Sequence, residues 1–291
     1  MARAQAPEPS FYRKANIRVP MEIVGDMPYV YLSVNRSDPL PFLVDSGSEM
    51  TTLSSQAVDQ LGLATHVGAD IQTVAAGGVL DGGNAWVSGV VIVAGHHAVI
   101  EGTLPVTDMA TVRKALHVPV AGVLGFDVLK AHTVILDFRL REMLIFRKPL
   151  RKQLASATVL GGSCGANPFI EAPFAVTPKT DLTPAKFMLD TGNNASVVLN
   201  RSFAQGLGLY AKAGLTSSKL VGLSGEFPTL SGLTADLGLG RSSEHLTDVE
   251  ISKATAGKTA SSDFAGLIGA PVLRRYRVIF NCPEGTLALM E

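Results

Sequence analysis

Two short stretches of the chain place a carboxylate where an apolar run ends. In FLVDSGS, Phe42, Leu43 and Val44 lead into Asp45, followed by Ser46, Gly47 and Ser48. In FMLDTGN, Phe187, Met188 and Leu189 lead into Asp190, followed by Thr191, Gly192 and Asn193. Asp, Ser and Gly are turn formers, so either copy alone reads as an ordinary turn. As a pair they can do chemistry. Two carboxylates held about 3 Å apart cannot both ionise, so they share one proton. The ionised member can take a proton from water while the protonated member donates to a carbonyl oxygen. Gly47 and Gly192 give each turn the freedom to fold tightly and approach the carboxylates.

Positioning such a pair requires elements, and those elements repeat. Asp45 and Asp190 lie 145 residues apart (190 − 45). SSQAVDQLGL follows the first and NRSFAQGLGL the second, ending on Leu61-Gly62-Leu63 and Leu207-Gly208-Leu209. Further on, VAGVLGFDVLKAHTVILDF (120–138) aligns with FAGLIGAPVLRRYRVIFNC (264–282). Gly125 falls 80 residues after Asp45, and Gly269 falls 79 after Asp190. An internal duplication explains these spacings; two unrelated domains with chance turns do not. Each half reads as all-β, with strands in YVYLSV, WVSGVVIVAG, TVILDF, MLIF, FMLD, RVIF and TLALM. SSQAVDQL and RSFAQGL read as short helices opened by Ser or Asn. The expected layout is a disordered segment over 1–16, a lobe over 17–150 and a second over 151–291. The basic cluster Arg147, Lys148, Arg151 and Lys152 at the boundary reads as a solvated linker rather than a binding patch.

The bulk composition sets limits. A chain of 291 residues is long enough for a sizeable core in each of two lobes. Zero net charge argues against nucleic acid or an acidic membrane surface as a partner. With 46% hydrophobic and only 17% charged residues, the chain is a folding one. No apolar run approaches the ~18 residues of a spanning helix. The start MARAQAPEPS fits either the remnant of a removed secretory leader, with Ala-Arg-Ala as a small-residue cleavage site, or a frayed terminus. Two cysteines, Cys164 and Cys282, do not fix the redox compartment by themselves.

FLVDSGS, FMLDTGN, AGVLGFDVL and AGLIGAPVL together resemble a two-lobed aspartic peptidase, with the short lobes of retropepsin-like families, over roughly residues 17 to 291. The resemblance implies two tandem β-barrel lobes and an endopeptidase acting on a peptide or protein substrate, with Asp45 and Asp190 as the catalytic dyad. It implies no cofactor and no metal. Ser46 and Thr191 would lock the two turns across the lobes. Ser48 and Asn193 would stand where the family often has a further side-chain donor to the carboxylate, and Gly125 and Gly269 would pack beneath the turns. A glycine-rich flap would fall in VAAGGVLDGG (74–83), with Gly77 and Gly78 at its tip. The matching VGLSGEF (221–227) reads more readily as an ordinary hairpin. Neither segment has a Tyr, and Asn193 departs from the commoner Ser, Thr or Ala. Both features lean toward an alternative, a catalytically inactive binding or inhibitor-like protein; the intact pair of turns leans against it. With both aspartates in one chain a monomer is expected. The family's lobe topology would also bring Cys164 and Cys282 together as a disulfide, in a periplasmic or extracellular setting.

Other signals carry less. Gly161-Gly162-Ser163-Cys164-Gly165 fits the G-x-S-x-G elbow, but Ala166-Asn167-Pro168 follows where that motif needs a helix. His96 and His97 are adjacent, without metal-ligand spacing. Arg274, Arg275 and Arg277 are expected to face solvent, and Trp86 to pack under the flap strand.

Overall fold

The apolar runs that end on the two aspartates are buried on both faces, which is why they lack the alternation of a half-exposed strand. In the computed structural model, Leu40–Val44 is buried from Pro41 onward and pairs in parallel with Gly122–Leu124. Thr183–Asp190 pairs in parallel with Gly266–Gly269 in the same way. The strand Ile17–Val24, by contrast, begins with strict in-out alternation, with one face buried and the other exposed. The structure describes residues 8–70, 72–81, 83–151, 154, 156–177, 182–222 and 224–291.

Six strands of the first lobe close into a barrel in the order Met27–Val34, Leu40–Val44, Gly122–Leu124, Thr52–Ser54, His97–Thr107 and Ala85–Ala94. The pair Ser33↔Val93 closes the ring. The second lobe follows the same order with Pro168–Val176, Thr183–Asp190, Gly266–Gly269, Val197–Leu199, Ser242–Ser252 and Gly225–Leu239. Phe174↔Leu237 closes that ring. Each barrel keeps its apolar side chains inside, with Phe42, Leu53 and Ile92 fully buried in one and Phe187, Leu199 and Val249 in the other. The short helices Ser55–Leu61 and Arg201–Gly206 sit where the sequence places them; the first is capped by Ser54, whose hydroxyl accepts from Ala57 N–H.

A further sheet joins the lobes. Thr133–Asp137 pairs with Glu142–Phe146 on one side and with Arg277–Asn281 on the other, so strands from the two halves are direct neighbours. One face of this sheet packs Ile135, Leu144, Ile279 and Ala288 against Phe11 and Tyr12.

That contact corrects the expectation of a disordered segment over 1–16. Residues 1–7 lie outside the described residues, but Ser10–Lys14 forms a 3-10 turn. Two apolar rings within five residues are enough to anchor it: Phe11 and Tyr12 are buried, and the Tyr12 hydroxyl donates to Asp137 Oδ2 at 2.9 Å. Arg277 is likewise corrected. It is buried, and its Nε donates to the same Asp137 oxygen at 2.7 Å, since a strand in mid-sheet turns alternate residues inward. Arg274 and Arg275 are half exposed and pair with Asp26 and Glu244. In the linker, Arg151 pairs with Glu284, while Lys152 lies outside the described residues.

Candidate active site

The two buried parallel strands deliver Asp45 and Asp190 to one point between the barrels. Each carboxylate is held by its own turn. Gly47 N–H donates to Asp45 Oδ1 at 2.8 Å and Ser48 N–H to the same oxygen at 3.2 Å. Gly192 N–H donates to Asp190 Oδ1 at 3.1 Å. The turn glycines are required by what stands opposite. A Cβ on Gly47 would lie 2.5 Å from Asp190 Oδ1, and one on Gly192 would lie 2.3 Å from Asp45 Cγ. Each glycine backbone therefore rests against the other lobe's carboxyl.

Ser46 and Thr191 lock the turns together. Ser46 N–H donates to Thr191 Oγ1 and Thr191 N–H to Ser46 Oγ, both at 3.0 Å. The two hydroxyls donate onward, Ser46 to the Leu189 carbonyl at 2.8 Å and Thr191 to the Val44 carbonyl at 2.7 Å. Both side chains are fully buried and fully hydrogen-bonded, so the junction is rigid. Gly125 and Gly269 support it from below. A Cβ on Gly125 would lie 2.4 Å from the backbone of Met50, and one on Gly269 would lie 1.9 Å from the Ala195 carbonyl. The residues that follow complete the match: Phe126 N–H donates to the Ser48 carbonyl and Ala270 N–H to the Asn193 carbonyl.

Two of the expected supports act differently. The Ser48 hydroxyl donates to the Met50 carbonyl at 3.0 Å, so only its backbone N–H serves Asp45. Asn193 uses its side-chain oxygen to accept from Ala195 N–H at 3.0 Å, which leaves its buried Nδ2 without a partner among the described residues. In both cases the turn's own backbone captures the side chain.

The electrostatics of the pair are unequal. Burial, then the charge of Asp45 and a hydrogen bond with it, push the Asp190 carboxyl well above the usual carboxylate range. Lys258 pulls in the opposite direction. Tyr29, buried within reach of the Asp45 charge, is kept neutral by burial and by that carboxylate, and its hydroxyl has no partner among the described residues.

Above the pair lies a cavity of about 370 Å³. Its roof is double. The hairpin Gln72–Val74 with Val79–Asp81 carries Gly77 and Gly78 at its tip, as the resemblance implies. The hairpin Thr216–Gly222 with Gly225–Leu239 reaches the same place from the second lobe, so it is more than the ordinary hairpin its sequence suggests; Leu223, at its tip, lies outside the described residues. A Cβ on Gly77 would collide with the Phe227 ring, which shows how closely the two hairpins meet.

Two participants carry no sequence signal. Asn167, buried just before Pro168, donates from Nδ2 to the Gly47 carbonyl at 3.0 Å. Lys258 lines the cavity and donates from Nζ to the same carbonyl. Asn before Pro reads as a turn and Lys beside Gly as a solvated loop. Neither has a counterpart at a fixed distance from a motif. The remaining signals stay apart from the site. Ser163 sits in a strand with no helix after it, His96 and His97 lie at an exposed turn, and Trp86 donates to the Ala69 carbonyl at 3.0 Å, on the segment leading to the flap. Among the described residues no cluster of His, Cys, Asp or Glu could hold a metal.

Cys164 and Cys282 are joined by a disulfide, with Cα atoms 5.6 Å apart. Among the described residues no helix is long and apolar enough to cross a membrane.

Comparison with protein families matches residues 30–128 to the aspartyl protease family. The matched span contains Asp45 and its turn, the first flap and Gly125. A comparison with curated proteins gives no match. The two six-stranded barrels and this match are consistent with a two-lobed protein of the pepsin- and retropepsin-like kind, and the match supports aspartic protease activity in general.

Proposed function

We propose that the protein is an aspartic endopeptidase in which Asp45 and Asp190 act as one dyad, working as a monomer outside the cytoplasm. The observation that carries this reading is that the two carboxyls, one from each barrel, each rest against the other lobe's turn glycine at the floor of a roofed cavity. Like charges this close cannot both ionise, so near neutrality the pair holds one proton. Its two titrations belong to the pair rather than to either residue.

The reaction follows from that shared proton. The ionised carboxylate removes a proton from a bound water as the water oxygen bonds to the peptide carbonyl carbon. The protonated carboxyl donates its proton to the carbonyl oxygen, giving a neutral gem-diol. The carboxyl that took the water's proton then passes it to the amide nitrogen. The C–N bond breaks, one gem-diol hydroxyl returns its proton to the other carboxylate, and acid and amine leave. No covalent enzyme intermediate forms. The hydrogen-bonded junction of Ser46 and Thr191 keeps the carboxyls in register, so little reorganisation is needed in the transition state. The two hairpins exclude water once a peptide is bound.

The cavity walls are apolar on both sides of the dyad, with Leu43, Met109 and Val123 from the first lobe and Val198, Phe227 and Leu267 from the second. Peptides with large apolar residues flanking the cleaved bond are therefore the expected substrates. Cleavage of a peptide library tests the reading. Asp45→Asn and Asp190→Asn should each lower the rate by about a hundredfold or more, and the double variant little further, because the pair works as one unit. Half the wild-type rate in either single variant would sink the shared-proton mechanism.

A further inference from the structure

The loop Gly257–Ala260 belongs to neither turn nor flap, yet it touches both. Its backbone holds the flap tip: Lys258 N–H donates to the Ala75 carbonyl at 2.9 Å and Thr259 N–H to the Ala76 carbonyl at 3.0 Å, while Thr259 Oγ1 adds a bond to Ala76 at 2.7 Å. The loop is fixed from behind by the buried amide of Asn200, which donates to the carbonyls of Lys258, Ser261 and Phe264. From this mount the Lys258 side chain runs to the floor of the cavity. Its Nζ bonds the Gly47 carbonyl and Asn167 Oδ1, the latter at 3.3 Å. Gly47 is the residue whose backbone rests against Asp190. One loop residue thus spans roof and floor.

We propose that Lys258 is a positioning residue for the dyad: its ammonium, anchored on the Gly47 carbonyl, supplies a fixed positive charge beside Asp45 and Asp190, and its backbone ties that charge to the closed flap. This rests on the peptidase reading. A cation here favours the ionised carboxylate that must accept the water's proton, and it does so against the burial and the neighbouring charge that hold Asp190 protonated. The other groups around the pair do not substitute for it. Lys219 and Glu49 also line the cavity, but Lys219 is paired with Glu226 on the second hairpin and Glu49 is negative. Tyr29 stands within reach of the Asp45 charge as a neutral hydroxyl. Residues Ala75 to Gly78 of the flap tip bring no charge. Among the described residues lining the cavity, Lys258 is therefore the cation left to act on the pair.

The test is Lys258→Met beside Lys258→Arg, with two readouts. In the pH profile of peptide cleavage, the Met variant should move both limbs of the bell upward by about one pH unit, since losing an opposite charge raises both titrations of the pair. The Arg variant should keep the wild-type limbs. Carbon-13 titration of the Asp190 carboxyl should show the same upward shift in the Met variant and not in the Arg variant. This second readout needs no turnover. If the wild-type protein cleaves nothing but the carboxyl titration moves with the Met variant alone, the peptidase reading fails while the charge role of Lys258 stands. If the Met variant loses activity with both limbs and the Asp190 titration unmoved, Lys258 only packs the loop and the proposal is overturned.

Discussion

Asp190 is more deeply placed than Asp45, and depth has a cost in stability. Its carboxyl titrates above its unfolded value because burial and Asp45 disfavour its charge. Below the unfolded pKa both states bind the proton and nothing is lost. As pH rises, the unfolded chain gives up the proton while the folded site retains it, so the folded state loses ground through this interval and remains penalised at neutral pH. Asp190→Asn removes the titration and keeps an oxygen for the Gly192 N–H. The variant should therefore melt higher than wild type at pH 7, by roughly 2–4 °C for each kcal/mol recovered, with the gain vanishing near pH 3. Thermal melts at the two pH values check this, and a gain independent of pH would refute it. A variant expected to lose activity and yet to be more stable than its parent is what a strained site gives. At this scale the sequence was most legible where chemistry and sterics coincide. Asp45, Asp190 and the four glycines are the residue types that a close carboxyl pair permits. Asn167 and Lys258 were opaque because their roles arise from contacts across 120 and 211 residues of chain, which no local pattern encodes.

Among the elements, the strands and short helices were readable from apolar runs and Ser or Asn starts, as Leu40–Val44, Thr183–Asp190 and Ser55–Leu61 illustrate. The second hairpin was not, because a Gly-containing turn looks the same whether or not another lobe's flap meets it. What joins the roof is Gly257. Its φ is +83°, and a Cβ there would stand 2.3 Å from Gly78 N and 2.5 Å from the Ala75 carbonyl oxygen. These are backbone atoms that no rotamer change can clear. Gly257→Ala must therefore push the flap away from its seat, and a displacement near 1 Å at a reacting centre lowers rates by about a hundredfold. The clash is with the flap's backbone and not with a barrel strand. The expected outcome is a large fall in kcat/KM with only a few degrees' loss in Tm, and faster proteolytic cutting within residues 72–81. Wild-type kcat/KM in a folded Gly257→Ala protein would show that the loop does not seat the flap.

Taken whole, the molecule holds its two carboxyls by joining two similar barrels through one sheet, in which a strand from each half pairs directly with the other. The register Ile135↔Ile279 and Asp137↔Arg277 makes that sheet continuous, and the buried Asp137 carboxylate, bonded to Arg277 and Tyr12, pins three separate parts of the chain at its centre. The disulfide adds a second tie. Cys164 ends a strand hydrogen-bonded to the second barrel at Pro168, and Cys282 directly follows the joining strand Arg277–Asn281, so the bond fastens the barrel to the sheet. It closes a loop of 118 residues. Restricting the unfolded chain to that extent is worth about 2–5 kcal/mol, counting the usual shortfall from the loop-entropy value. Reduction, or Cys164→Ser with Cys282→Ser, should therefore lower the melting temperature by several degrees at least, with the first barrel's fold intact. An unchanged melting temperature would mean that the loop gains nothing from closure. The same bond bears on where the protein works, since such bridges persist in oxidising compartments. Mass spectrometry of an unreduced digest, on protein taken from its native compartment, should find the Cys164–Cys282 peptide pair and no alkylated thiol at either position. Two free thiols there would reject both the bond and a site of action outside the cytoplasm.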